Sequence, residues 1–583
     1  MAGSILGTRV LRTEDPELLV GAARYVDDLD LDGCLHVVFV RSEMPHAVIS
    51  DVDISVAVQA PGVVGVYTAA DLGIAPFQGM VKVDDDFARP ALATERVRFV
   101  GEPIVAVVAE TFAQAVDAAA TVIVDYDPLP AAITAEEALD EGAPVLFEAH
   151  GNNVAITTTD PVHPDLFADA DVIVRGRYVN QRMAVAPIEP HGEAATIGAD
   201  GRLVVYCSTQ MPHLFLRLLA TALGMAPEEL RVVTPLVGGG FGGKAGLYAE
   251  QVVVAALAKR LQRPVTWMST RSEDMVALHH SRGQIQYVEL GCKRDGTFTG
   301  LRVRLVGDGG AYPGLGSFLP AGTRRMSNGT YNFRDIQFDV VVAATNTTPM
   351  GAYRGAGRPE ATALLERVVG QAALELDIDP IELRRHNLLG NDVFPFTTLT
   401  GLTYDSGAYR LPLDEAARLA GYDALRREQA ARRARGDRNL LGIGVSTYVE
   451  ITAGGGTSEY GAVQVHDDGS VTVLAGTSAH GQGHQTAFAM IVNAQTGIPL
   501  DKIHLPAVDT DLIRSGGGTG GSRSLQLGGS AVMRATESLV DKAKHLAAHL
   551  LEADVSDIVV DTEAGTVGVA GVPSTALDWA ALA

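Results

Sequence analysis

The chain has 583 residues, enough for several separate cores. With 47% hydrophobic and 20% charged residues it is globular, not disordered, and its net charge of −24 argues against a general binder of nucleic acid or anionic membranes. Its three cysteines, Cys34, Cys207 and Cys292, are far apart and form no C-x-x-C pair, so this chain supplies neither the four thiolates of an ordinary iron–sulfur cluster nor a disulfide framework.

In chain order, residues 1–145 read as α/β. Apolar runs at 35–40, 63–67, 104–109 and 121–126 predict strands, and Thr111 caps a predicted helix over 113–120. The N-terminus has no basic start followed by an apolar core, and no apolar run is long enough to span a membrane, so a cytoplasmic protein is expected. Residues 146–435 mix strands, as at 203–207 and 340–344, with helices, as at 249–261 and 361–376. The charged run 426–438 reads as a solvated helix and linker. Residues 436–583 begin with a predicted strand at 442–449, followed by strands at 461–465 and 471–475 and helices near 487–496 and 530–551. The last residues, Trp579-Ala-Ala-Leu-Ala583, are helix-like with no evident closing element.

Three glycine-rich clusters stand out: Val237-Gly-Gly-Gly-Phe-Gly-Gly-Lys244, Ala479-His-Gly-Gln-Gly-His-Gln-Thr486 and Gly516-Gly-Gly-Thr-Gly-Gly-Ser-Arg-Ser524. Glycine permits positive φ and close approach to a ligand, and successive N–H groups in such turns form anion-binding nests. Together the three clusters suggest a large phosphorylated cofactor. The first also fits two nucleotide motifs, so a nucleotide-dependent enzyme using the loop from Gly238 to Lys244 is an alternative. Against it, no acid follows the expected second strand at 264–267 until Glu273, and Ala245 stands where a P-loop needs a hydroxyl for magnesium. His480 and His484 are four apart but lie in Gly-Gln-Gly sequence, which argues against a helical metal pair.

Ser208-Thr-Gln-Met-Pro-His213 and Gly239-Gly-Phe-Gly-Gly-Lys244 resemble the large subunits of the molybdenum hydroxylases, the xanthine dehydrogenase, aldehyde oxidase and aerobic carbon monoxide dehydrogenase family. Arg96-Val-Arg-Phe-Val-Gly-Glu-Pro103, Ala352-Tyr-Arg-Gly-Ala-Gly-Arg-Pro-Glu360, Asp379-Pro-Ile-Glu-Leu-Arg-Arg385, Tyr404-Asp-Ser-Gly407 and Thr519-Gly-Gly-Ser-Arg-Ser524 extend the resemblance in family order across nearly the whole chain. It implies an α+β protein: an N-terminal α/β hammerhead domain (1–145), then two molybdopterin-binding domains (146–435 and 436–583), the second incomplete.

The resemblance further implies a molybdenum–pterin cofactor, as the cytosine dinucleotide form, with the metal held by the pterin dithiolene and by no side chain. Gln210 matches the glutamine that hydrogen-bonds a molybdenum oxo group; Gly240, Phe241 and Gly242 match the residues beside the metal, and Arg354 an active-site arginine. Gly481, Gln482, Gly483 and His484 match the loop holding pterin and pyrophosphate. Thr519, Ser522, Arg523 and Ser524 match the loop around the dinucleotide phosphates. Electrons would leave through partner subunits carrying [2Fe-2S] clusters and FAD.

The departures shape the expected activity. Gly355 stands where carbon monoxide dehydrogenases carry a copper-bridging cysteine, so no copper site is expected. Ala245 and Ala356 replace residues of purine-oxidising relatives, which favours an aldehyde or an N-heterocycle as the small-molecule substrate. No Gly-Glu motif of the kind that carries the family's general base follows residue 524. The glutamate is expected on a second chain, or else the protein is an inactive remnant. Glu189 is read as structural.

Overall fold

A computed structural model describes residues 4–454 and 456–583. Its largest sheet runs Val508–Asp509, Leu230–Thr234, Leu203–Cys207, Gly192–Ile197, Val265–Met268, Leu35–Arg41, Pro103–Ala109 and Val63–Tyr67. One continuous sheet thus takes strands from all three regions of the chain. The join is parallel pairing of Leu35 with Val265 and of His36 with Thr266. Pro103–Ala109 is buried along its whole length, consistent with its unbroken apolar run. The helices Pro212–Leu223 and Ala249–Leu261 pack against this sheet in a core that includes Phe215, Val252 and Trp267.

A second sheet, ordered Val154–Thr159, Asp335–Ala344, Phe298–Gly310, Gln284–Cys292 and Val172–Asn180, is covered by the helix Arg358–Glu375. Near the C-terminal end, Gly461–Val465, Val471–Ala475 and Ile503–His504 form a three-stranded sheet, with the helices His484–Thr496 and Ser530–Leu550 packed around it. Trp579 is buried there, and its indole N–H donates to the carbonyl of Thr496 at 2.9 Å.

Local signals read from sequence recur with shifts of a few residues. Thr111 caps the helix Phe112–Ala119 by accepting from the amide of Gln114, and the charged run is part of the helix Tyr422–Arg435. The predicted strand at 442–449 is a correction: no strand forms there. Backbone polar groups of the segment pair instead with buried side chains. Arg384 donates to the carbonyl of Val445 at 3.0 Å, and the amide of Thr447 donates to Glu366 at 3.0 Å. The Arg384–Glu366 ion pair, closed at 2.9 Å, takes the place of a neighbouring strand.

Candidate active site: three glycine clusters meeting at Gln210

Gln210 is buried at the start of the helix Pro212–Leu223. Its side-chain carbonyl accepts from the amides of Gly242 (2.8 Å) and Lys244 (3.3 Å), and its Nε2 donates to the carbonyl of Thr519 (2.9 Å). Its backbone carbonyl accepts from the amide of Thr519 (2.9 Å) and from the hydroxyl of Ser478 (3.1 Å). Thr519 Oγ1 in turn donates to the carbonyl of Ser478 at 2.7 Å. One residue therefore ties together the three glycine clusters, and its bond to Thr519 spans 309 positions of the chain.

The first cluster is held from within. Lys244, whose side chain is 0% exposed, forms an ion pair with Glu189 at 2.6 Å. Glu189 Oε2 also accepts from Ser208 Oγ and the amide of Gly238, both at 2.7 Å. Burial pulls the Lys244 ammonium below its ordinary range against the opposing effect of Glu189. The amides of Gly238, Gly242, Gly243, Lys244 and Ala245 all donate to protein acceptors. This corrects the nucleotide-loop alternative. Lys244 is turned inward to Glu189, and the following helix begins only at Ala249. The strand Leu230–Thr234 is separated from Val265–Met268 by two others, so no Rossmann pair forms.

Phe241 projects from this clamp. It has φ +54° and is 44% exposed. Gly242 follows at φ +103°, and a Cβ there would lie 2.7 Å from the carbonyl oxygen of Ala352. A Cβ on Gly240 would lie 2.6 Å from Gln210 Oε1. Close packing with Gln210 and with 352–354 therefore requires glycine on both sides of the ring. The amide of Arg354 donates to the carbonyl of Phe241 at 2.8 Å, and the Arg354 guanidinium lies 5.9 Å from the Phe241 ring centroid. Gly355 is at φ +100°, and a Cβ there would meet Pro359 at 2.6 Å.

The second and third clusters have a different hydrogen-bond balance. Among the described residues, the amides of Gly481, Gln482 and Gly483, and those of Gly520 through Ser524, donate to no protein acceptor. Gly481 and Gly521 face open space, at φ +93° and +57°. His484 begins the 13-residue helix His484–Thr496, which aims further free N–H groups and a partial positive charge at the same region. Its ring stacks on Phe488 and its Nε2 accepts from Gln482 Nε2 (3.0 Å), while its Nδ1 is buried without a partner. Burial lowers the pKa of His480 to about 3 and of His484 to about 4, so both are neutral at pH 7. Arg523 contacts Glu459 at 3.1 Å and the carbonyl of Ser458 at 2.8 Å, with its Nε buried and unpartnered. Thr519 Oγ1 and Ser524 Oγ lie 3.0 Å apart, and Ser522 is exposed at φ +55°.

Four contributors were not singled out in the sequence. Glu459 accepts from the amide of Gly517 and partners Arg523. Ser478 links two clusters through Gln210 and Thr519. Thr13 and Glu14, near the N-terminus, bond Thr486 in the first turn of the helix at His484. Only Ser478, beside the second cluster, could have been singled out by position.

A buried clamp beside two amide-lined loops defines a binder of a large phosphorylated cofactor, and comparison with known proteins gives its kind. Residues 146–388 and 415–583 match the molybdopterin cofactor-binding domain, and residues 20–130 match the a/b hammerhead domain of aldehyde oxidase and xanthine dehydrogenase. The chain is 34% identical to the nicotine 6-hydroxylase large subunit of Paenarthrobacter nicotinovorans over 97% of its own length and 72% of the relative's. It is 34% identical to the carbon monoxide dehydrogenase large chain of Hydrogenophaga pseudoflava, over 94% and 72%. It superposes on quinoline 2-oxidoreductase from Pseudomonas putida 86 with a TM-score of 0.91, at 34% identity, covering 99% of this chain and 75% of that one. The chain belongs to the molybdenum-dependent oxidoreductases of the aldehyde oxidase and xanthine dehydrogenase family, as a molybdopterin-binding large subunit. No helix among the described residues is long and apolar enough to cross a membrane.

Proposed function

We propose that this chain is the cofactor-binding subunit of a hydroxylase acting on an aldehyde or an N-heterocycle in the cytoplasm. The observation that carries the reading is the convergence of three glycine clusters on Gln210, with free amides at 481–483 and 520–524. The residues present fit a molybdenum–pterin cofactor in its cytosine dinucleotide form. The free N–H groups of 481–483 and 520–524 and the helix start at His484 suit phosphate oxygens, and Gly481 and Gly521 leave room for them. When bound, the cofactor would supply the two-electron chemistry that inserts water-derived oxygen into a substrate C–H bond.

The chain's own residues orient and shield. The Gln210 amide uses one Nε2 hydrogen on Thr519 and keeps the other for a cofactor oxygen. Phe241 and Arg354 form one wall: an exposed ring with a guanidinium beside it. Glu189 does not suit the role of proton acceptor: its Oε2 takes three donors, one of them Lys244, and its Oε1 is buried away from any donor. We assign the proton acceptor to polypeptide outside the described residues. Electrons leave to iron–sulfur and FAD subunits, since Cys34, Cys207 and Cys292 are dispersed. Gly355 argues against copper, because its conformation leaves no room for a cysteine side chain.

The test is purification with co-expressed neighbouring subunits, followed by metal and nucleotide analysis and turnover of benzaldehyde and quinoline in ¹⁸O-labelled water. One molybdenum per chain, released CMP, no copper and labelled product are expected. Molybdenum-free protein, or unlabelled product, overturns the reading.

A further inference from the structure

Arg354 is exposed, and among the described residues its guanidinium has no hydrogen-bond acceptor and no ion-pair partner beyond its place near the Phe241 ring. A carboxylate nevertheless stands close by. Glu360, in the first turn of the helix Arg358–Glu375, has a side chain that is 0% exposed. The residue that stands between the two is Arg282. Its Nη1 lies 3.2 and 3.3 Å from the two carboxylate oxygens of Glu360. Its Nη2 donates to the carbonyl of Arg354 at 2.7 Å, and its guanidinium lies 4.8 Å from the Tyr353 ring centroid. One guanidinium thus touches both the peptide of Arg354 and the carboxylate, which puts Glu360 within the span of the Arg354 side chain. Glu360 Oε2 also accepts from the amide of Gly357 at 3.0 Å. Arg358 is no substitute cation, since it pairs with Glu450 at 2.9 Å.

The fold fixes Arg282 in this place. Its φ is +77°, which a side chain other than glycine's adopts only where the surroundings determine it. The preceding strand, His280–Ser281, is tied to the segment that leads into Arg354: the amide of His280 donates to Pro349 at 3.1 Å, and the amide of Gly351 donates to His280 at 2.7 Å. Beyond Arg354 the chain turns through Gly355, Ala356 and Gly357, all at positive φ. The amide of Arg354 is bonded to Phe241 and its carbonyl to Arg282, so this residue is held from both sides.

A buried carboxylate that loses its cation is costly, and a free cation within reach is drawn to it. We propose that Arg282 is a positioning residue of the substrate pocket: by neutralising Glu360 it keeps the Arg354 guanidinium off that carboxylate and free beside Phe241 to meet the substrate. The part played by substrate rests on the hydroxylase reading above; the competition for Glu360 does not.

The test is modification of Arg354 by phenylglyoxal, an arginine-selective reagent, in the purified complex, followed by peptide mapping. In the wild type Arg354 should react readily. In Arg282→Met, or in Arg282→Gln if the first does not fold, Arg354 should pair with Glu360 and react about tenfold more slowly. Adding Glu360→Gln should restore the wild-type rate, and Arg282→Lys, which keeps a cation on Glu360, should stay close to it. A merely structural role predicts the opposite sign, because a loosened loop exposes Arg354 further. In turnover of quinoline, the same neutral variants should raise KM about tenfold with a much smaller change in kcat, and Glu360→Gln should bring KM back. Modification that is unchanged or faster in the neutral variants, slow modification that persists with Glu360→Gln, or a KM that does not move would overturn the proposal. The modification needs no bound molybdenum. Molybdenum-free protein therefore sinks the hydroxylase assignment and leaves the competition for Glu360 measurable.

Discussion

The glycine cluster at 237–244 and those at 479–486 and 516–524 look alike in composition but differ in hydrogen bonding. In the first, the amides of Gly238, Gly242, Gly243 and Lys244 are taken by protein acceptors, those of 239–241 by none, and Lys244 is closed onto Glu189. In the other two, the runs of successive amides without a protein acceptor are longer, 481–486 and 520–524 among the described residues. Glycine serves in the first to let backbone and Gln210 pack closely, and in the others to expose N–H groups. Glycine richness alone therefore does not distinguish a clamp from a cradle; what matters is where the amides point.

The sharpest way to break this contrast is to unlock the clamp. Lys244→Met leaves Glu189 buried without its cation and should destabilise the protein by about 3–5 kcal/mol, read by chemical denaturation. A Lys244→Met, Glu189→Leu pair should recover much of that loss. If the single variant is neutral, the clamp is not structural. Next, Gly242→Ala places a Cβ 2.7 Å from Ala352 O at φ +103°. Backbone strain alone should cost about 1–3 kcal/mol, the contact should push the cost toward the upper end, and the melting temperature should fall accordingly.

The third test concerns the cradle. Arg523→Ala removes the partner of buried Glu459 and should weaken cofactor retention by about 1.5–3 kcal/mol, measured as molybdenum content under limiting cofactor. Unchanged content would remove Arg523 from the phosphate site. The fourth is a pH dependence. His480 and His484 have folded pKa values of about 3 and 4, below the ordinary 6.5, so the unfolded chain binds protons that the folded loop refuses. Neither contributes a slope well above pH 6.5. As pH falls from 6.5 toward 4, each should lower stability by up to about 1.4 kcal/mol per pH unit. Thermal melts between pH 7.5 and 5 of the wild type and of a His480→Asn, His484→Asn double variant check this: the variant should show the shallower slope. The smallest effect is expected at Gly481→Ala, where nothing lies within 4 Å and only the φ of +93° opposes a side chain, at a cost of about 1 kcal/mol. A larger loss there than at Gly242 would invert the comparison.

Much of this molecule was legible from sequence. Periodicity marked the strand Val63–Tyr67 and the helix Ala249–Leu261, because apolar spacing reports which face meets the core. Ordered motifs pointed to the family, and through it to Gln210, Phe241, Arg354 and the two further glycine loops as candidates. The segment 442–449 was misread as a strand because alternation records which side chains face inward and not the identity of the backbone's hydrogen-bond partners. Tertiary structure alone decided which glycine loop closes on itself, that Lys244 turns inward to Glu189, and that Glu459 engages Arg523. Each of these depends on the direction of a polar group across a long sequence separation, and local pattern carries no record of that direction.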